Sequence, residues 1–396
     1  EDMGFRNAPV SLGINASIGE ISAANGVTFA DSVTLASGAV LGSGGMIDGG
    51  GGGVIFGDTL TLSEGSEVTA IMGSGAISFD AINGSGNGQI GAITSHASGI
   101  TQAGNLTLGS GGSIGAIEGS GDIVLLDGAG GDLSLGSGAS IASITSGPGS
   151  VTVDGSGVLA SGASIGMISA NEGVTFLDRI LLNADAEIAS GSSIDGGSGG
   201  VTFGSGIEAR NGGVIGEIRG SGDVNFGGDG LRLIGASVGA ISSTGAGVEF
   251  DQLIVKNNSE IGNITALETV KFGDGITASG SLVTIGDIES LSGNVEVSGD
   301  LLLGNGSTIG TIIGSGDVLI GANGSSLTLE SGASISGITA SHGEMRFDET
   351  LTLGSGASIG DLFAASGVKF SGAVTLESGA SLGSGNTIDG GSGGVV

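Results

Sequence analysis

The sequence predicts an all-β chain folded as a single parallel β-solenoid of about sixteen coils, with three short strands in each coil. Three observations carry this. Ten of the twelve phenylalanines, Phe29, Phe56, Phe79, Phe176, Phe203, Phe226, Phe250, Phe272, Phe347 and Phe370, occupy one position of a repeat roughly two dozen residues long. The 89 glycines in 396 residues are accompanied by only two prolines and do not fall at every third residue, which excludes a collagen helix. The apolar residues, 38% of the chain, are mostly Ile, Val and Leu in short alternating runs, which excludes a disordered acidic chain.

Three landmarks recur in fixed order. The first is an L-x-L or V-x-L strand, as in Val33-Thr-Leu35, Leu60-Thr-Leu62, Leu106-Thr-Leu108, Leu327-Thr-Leu329 and Leu351-Thr-Leu353. Its alternation buries one face. The second is I-G-x-I, as in Ile18 to Ile21, Ile114 to Ile117, Ile165 to Ile168 and Ile309 to Ile312. Two apolar residues three apart break strict alternation, so a bend is expected between them. The third is G-V-x-F, as in Gly173-Val-Thr-Phe176. Tight corners between strands need positive φ, which glycine adopts freely and asparagine or aspartate tolerate. Coils vary from roughly 21 to 28 residues, and the extra length is expected in glycine runs such as 49–53 and 196–200.

The phenylalanine row reads as a buried core ladder, replaced by aliphatic side chains near Leu125, Val153, Val297 and Ile320. One continuous solenoid is expected over 1–396, with a partial coil at 1–12 and an incomplete one at 374–396. Phe5 aligns with the ladder. At the other end, residues 375–395 match 34–54 at 16 of 21 positions, and the match stops just short of the ladder phenylalanine. Unpaired strand edges invite pairing. Phe5, Arg6, Val395 and Val396 are therefore the expected joint of a head-to-tail homopolymer, the alternative being a window of a longer repetitive chain.

A net charge of -31 with only nine Lys or Arg argues against nucleic-acid or anionic-membrane partners. No run approaches the about 18 apolar residues of a membrane span. The lack of cysteine removes disulfides and thiolate-bound metals. No cofactor and no catalysis are expected. Three coils carry I-D-G-G-x-G-G-V, at Asp48, Asp195 and Asp389, and without a following lysine these read as turns, not phosphate loops. Aspartates recur just after the ladder phenylalanine, and of these Asp31, Asp58, Asp178 and Asp274 are candidate calcium ligands set against a solvated acidic corner. His96 and His342 lie at equivalent corners, and the nine basic residues fall in different coils.

Through its L-T-L-x-S-G-A-S-I-G and G-V-x-F repeats, the whole chain resembles the repetitive β-solenoid regions of secreted bacterial surface proteins, the autotransporter passengers and filamentous-haemagglutinin-like adhesins. The resemblance implies export, an extracellular or cell-surface location and a structural or adhesive role. The expected function is an extracellular filament subunit, as in a surface fibre or biofilm matrix. A monomeric adhesin or stalk segment is the alternative, and an ice-binding or glycan-processing solenoid ranks below both, since L-T-L turns one threonine outward per coil.

Overall fold

The computed structural model describes residues 2–5, 8–127, 131–321, 324–383 and 387–396. The chain is a parallel β-solenoid of about sixteen turns, with its strands in three sheets. Its contacts divide it into two compact units, Glu1–Gly199 with Gly213–Gly216, and Gly200–Gly212 with Glu217–Val396. The sheets are named here for their inward residues: a Phe sheet of V-x-F strands, a Leu sheet of L-x-L strands and an Ile sheet built on the I-G-x-I landmark.

In the first unit the Phe sheet runs from Met3–Phe5 through Val27–Phe29 to Val174–Phe176, and in the second from Val201–Phe203 to Val368–Phe370. A three-residue strand is marginal alone. Each is held by a parallel partner in the next turn, with Val27, Thr28 and Phe29 facing Val54, Ile55 and Phe56. The outer two residues of each interior strand are buried and the middle one faces out. The Leu sheet follows the same rule in most turns, the middle residue Glu208 being buried instead.

The ladder is formed as expected. Phe5, Phe29, Phe56 and Phe79 stack at 4.8, 4.7 and 5.0 Å between ring centres, and Phe203, Phe226, Phe250 and Phe272 at 5.1, 4.6 and 5.0 Å. Val297 and Ile320 fill the row between Phe272 and Phe347, and Leu125 and Val153 lie on it before Phe176. One member was not foreseen. Gln102 pairs with Phe79 on one side and Leu125 on the other, and it is buried. A buried amide needs partners. Its Nε2 donates to the Gly104 carbonyl, and its Oε1 accepts from Leu126 N–H at 3.2 Å. Leu126 stands at φ 68°, a left-handed conformation costly for a branched side chain, next to that bond. The twelfth phenylalanine, Phe363, lies in an Ile-sheet strand and points outward, 40% exposed.

The Ile sheet carries the bend. Both landmark isoleucines are buried, as in Ser113–Gly119, where Ile114 and Ile117 face Ile141 and Ile144 of the next turn. In several turns the bend splits the strand in two, as at Gln89–Ile90 and Ile93–Ser95.

The extra length of the long turns lies mainly elsewhere than expected. Ile18 faces Leu41 while Ile21 faces Ile47, so a three-residue step opposes a six-residue one, and Ile165 and Ile168 face Ile188 and Ile194 in the same way. The insertion is thus a bulge inside the Ile strand, ahead of the glycine run. Gly42 and Gly44 take φ 88° and 77° there, and Thr69 of the next turn donates its hydroxyl to the Gly42 carbonyl at 3.0 Å. A β-carbon at Gly42 would lie 2.1 Å from that hydroxyl. The glycine run takes up a single extra residue, since Ile21 to Val27 is six steps and Ile47 to Val54 is seven.

At the corner between the Leu and Ile sheets, Gly38 and Gly162 have φ 68° and 67°, and the positions matching them in neighbouring turns are Asn15 at 55° and Asp185 at 56°. Asparagine and aspartate thus replace glycine where the backbone turns left-handed.

Replacing Phe226, fully buried between two stacked rings, with alanine is expected to cost about 3–5 kcal/mol in a chemical-denaturation experiment. A loss below about 1 kcal/mol would contradict a packed ladder.

Candidate functional site

The I-D-G-G segments are built alike. Asp48 Oδ1 accepts from Gly50 N–H at 2.8 Å, Asp195 Oδ1 from Gly197 N–H at 3.0 Å, and Asp389 Oδ1 from Gly391 N–H at 2.8 Å. Each glycine so held has φ of 50° or 51° and opens a single 3-10 turn. The carboxylates therefore close turns. A β-carbon on Gly49 would lie 1.8 Å from the Gly53 carbonyl oxygen, so glycine is the only residue this turn admits.

A second set of short polar side chains links successive turns. Asp122 Oδ1 accepts from Ser150 N–H and Ser150 Oγ, both at 2.8 Å. Asn105 accepts from Asp132 N–H at 3.0 Å, and Asp300 from Ser326 N–H at 2.7 Å. Two such links run in series: Asn263 accepts from Asp287 N–H and Asp287 from Thr311 N–H, while Asn294 accepts from Asp317 N–H and Asp317 from Glu344 N–H. At a corner the backbone N–H leaves the sheet ladder, and the side-chain oxygen of the preceding turn replaces the lost acceptor.

The aspartates after the ladder phenylalanine line the corner between the Phe and Leu sheets. Asp58, Asp178 and Asp274 are exposed and Asp31 is half-buried. Asp58 Oδ1 accepts from Thr59 N–H at 2.6 Å, and at the same corner of the second unit Asp251 accepts from Gly228 N–H at 2.7 Å. Among the described residues no group of three or more His, Asp or Glu is placed to hold a metal ion.

His96 and His342 are both exposed at the corner that follows the Ile strand. His96 lines a groove of about 260 Å³ with Thr94, Ser95 and Glu118. Ser95 is buried and donates its hydroxyl to the Gly75 carbonyl at 3.0 Å, so its hydroxyl is engaged in holding the corner. His342 Nδ1 lies 3.2 Å from the Ser315 carbonyl oxygen.

The basic residues are spread along the chain, although Arg210 and Arg219 share one turn where different turns were expected, and stacking gathers several of them beside acids. On the Phe sheet of the second unit, Glu249, Lys271 and Glu296 face one another in register, and Lys271 Nζ is 2.5 Å from Glu249 Oε1. This pair borders a groove of about 230 Å³ with Asp223, Asn225 and Glu268. The hydrogen bond and the charge of Glu249 hold Lys271 above its usual 10.5. Its folded value being raised, any contribution to stability is present below 10.5 and fades as the pH climbs through the folded value. Exposure screens the pair and keeps that contribution small. Arg346 sits 2.8 Å from Asp348, and Lys369 3.5 Å from Glu344. On the Leu sheet, Glu208 is buried and paired with Arg210, with Arg232 at 3.9 Å.

Of the expected joint residues, Phe5 pairs with Phe29, and Arg6 lies outside the described residues. Val395 bridges to Val368, and Val396 donates to the Val368 carbonyl while its own carbonyl accepts from Phe370 N–H. Comparison with known proteins returns no match: no family model, no curated protein and no solved structure is significantly similar to the chain.

Two outcomes test this description. Gly49→Ala is expected to destabilise the first unit by about 1–3 kcal/mol, because the backbone must move away from the new β-carbon; a neutral effect in a denaturation series would show the turn to be soft. The bonds from Ser150 hold the Asp122 carboxyl below its usual 3.8. A depressed folded value means the carboxylate stabilises above 3.8, with the effect lost as the pH falls through the folded value. Asp122→Ala should therefore be less stable than the parent at neutral pH, with the gap closing in acid; a gap independent of pH would remove the carboxylate's role.

Proposed function

We propose that the chain is a non-enzymatic structural protein, exported to the cell surface or beyond, whose β-solenoid is the subunit of a filament that grows by head-to-tail stacking. One observation carries this reading. In-register parallel pairing makes each turn a template for a copy of itself: Val33 and Leu35 face Leu60 and Leu62 of the next turn and are 1% and 0% exposed beneath it. A turn is thus completed by another turn of the same kind, and strands left uncovered invite one.

The surface that fits such an edge is another turn of the same kind. Phe29, Val33 and Leu35 meet side chains of the same types, Phe56, Leu60 and Leu62, in the turn that follows them. Each apolar side chain so covered contributes roughly 1.5–3 kcal/mol. The contact is heterologous, so it propagates instead of closing. Export and a surface location rest on the resemblance of the repeats to those of secreted bacterial surface proteins.

Electron microscopy of the purified chain over a concentration series is expected to show long unbranched fibres. Leu376→Asp, which puts a charge on the inward row of a Leu strand, should stop growth while leaving the circular dichroism spectrum unchanged. Uniform short particles at high concentration would overturn the filament and favour a monomeric stalk or adhesin segment.

A further inference from the structure

We propose that the Leu sheet of the second unit carries a binding site for a small amphiphilic anion, an oxyanion head on a hydrocarbon body, built from Arg210, Arg232 and Lys256 around Ile234 and Ile254. The site begins with the backbone. Among the described residues, Leu strands have three residues except in four successive turns, Ile207–Arg210, Leu231–Ile234, Leu253–Lys256 and Ile276–Ser279, which have four. Strand alternation turns the fourth residue outward, and the chain goes left-handed at once after it, at Asn211, Gly235, Asn257 and Gly280. These turns therefore carry a second outward row that the three-residue strands lack.

The two rows bring cations and isoleucines together. In register, Arg210 faces Ile234 and Ile234 faces Lys256, while Glu208 faces Arg232 and Arg232 faces Ile254. Ile234 and Ile254 are half-buried and form an apolar floor. Arg210 and Lys256 lie two rungs apart, about 10 Å, on either side of Ile234. Their long stems lie over apolar surface while the charged heads stay in water, where both heads reach one bound group.

Charge singles this patch out. It holds three of only nine Lys and Arg residues in a chain of net charge -31. Other cations of the second unit have acids of their own: Lys271 has Glu249, Arg219 has Glu217, and Arg346 has Asp348. Here a single carboxylate, Glu208, stands beside two guanidinium groups, and Lys256 makes no ion pair among the described residues. Glu208 is buried and accepts from Arg210 Nε, which fixes Arg210 and leaves its Nη edge free of protein partners. Arg232 Nε is buried without a hydrogen-bond partner, 3.9 Å from Glu208. Guanidinium groups short of acceptors are completed by an oxyanion, which they meet with paired bonds. The corner acids Asp229 and Asp251 stand at the opposite end of these strands from Arg210 and Lys256, and Asp251 already accepts from Gly228 N–H. A bare anion is still repelled by the acidic remainder of the chain, whereas one with a hydrocarbon body also gains contact with Ile234 and Ile254.

Fluorescence titration with anilinonaphthalene sulfonate, itself an oxyanion on an apolar body, is expected to give saturable binding to the folded chain. Lys256→Gln should weaken it about tenfold, the loss of one charge-assisted hydrogen bond, and Ile234→Ser should weaken it severalfold. Lys271→Gln, which removes a cation already paired with Glu249 on the Phe sheet, should leave it unchanged. At constant ionic strength octanoate should displace the probe, and octanol or inorganic sulfate at the same concentration should not. No saturable binding, or equal weakening by Lys271→Gln and Lys256→Gln, would overturn the proposal. Displacement by sulfate as effective as by octanoate would overturn the amphiphile. Circular dichroism checks that each variant is folded. The patch lies on the side of the turns, so the titration reads it whether or not chains stack end to end.

Discussion

Within each unit the described strands pair in parallel with the strand at the same place in the neighbouring turn, and that in-register stacking is the constraint on which the rest depends. Each side chain has its own equivalent above and below it. A residue type is therefore selected by what it makes with a copy of itself: phenylalanines stack, isoleucines and leucines close the core, and threonines share an outer row. Stability then accrues turn by turn through nearest-neighbour interfaces. Gln102 shows how a polar member is tolerated in such a row, since each end of its amide finds backbone partners while its stem continues the ladder.

Stacking also decides where the acid goes. Like charges on successive turns are brought within a rung of each other, so carboxylates are useful only where something answers them. Asp122, Asp287 and Asp317 answer backbone N–H groups of the next turn; Glu249 and Glu344 answer lysines. Many of the remaining acids lie on the Ile sheet and at the corner after the ladder phenylalanines, while the Leu sheet is neutral along its middle row in the first unit and carries Glu208, Arg232 and Lys256 in the second. Charge distribution, more than pocket chemistry, gives this solenoid its different sides.

Much of the fold is legible in the sequence because it is periodic. The L-x-L, I-G-x-I and V-x-F landmarks name the three sheets, and the phenylalanine spacing counts the turns. What escapes is whatever depends on register. The bulge ahead of Asp48 was invisible because the glycine run after it looks like the longer loop, and only the pairing of Ile18 and Ile21 with Leu41 and Ile47 locates the inserted residues. The links from Asn263 and Asn294 were missed for a similar reason: which N–H loses its ladder partner is a property of the corner, not of the residue that rescues it. Function is less legible than fold, because a solenoid face accepts many chemistries and repeats only its architecture.

Fibre diffraction from an aligned, concentrated sample measures the stacking directly. In-register turns continued from copy to copy predict a sharp meridional reflection at about 4.8 Å, with the strands perpendicular to the fibre axis. Its absence from an ordered specimen, or its appearance on the equator, would contradict growth along the solenoid axis.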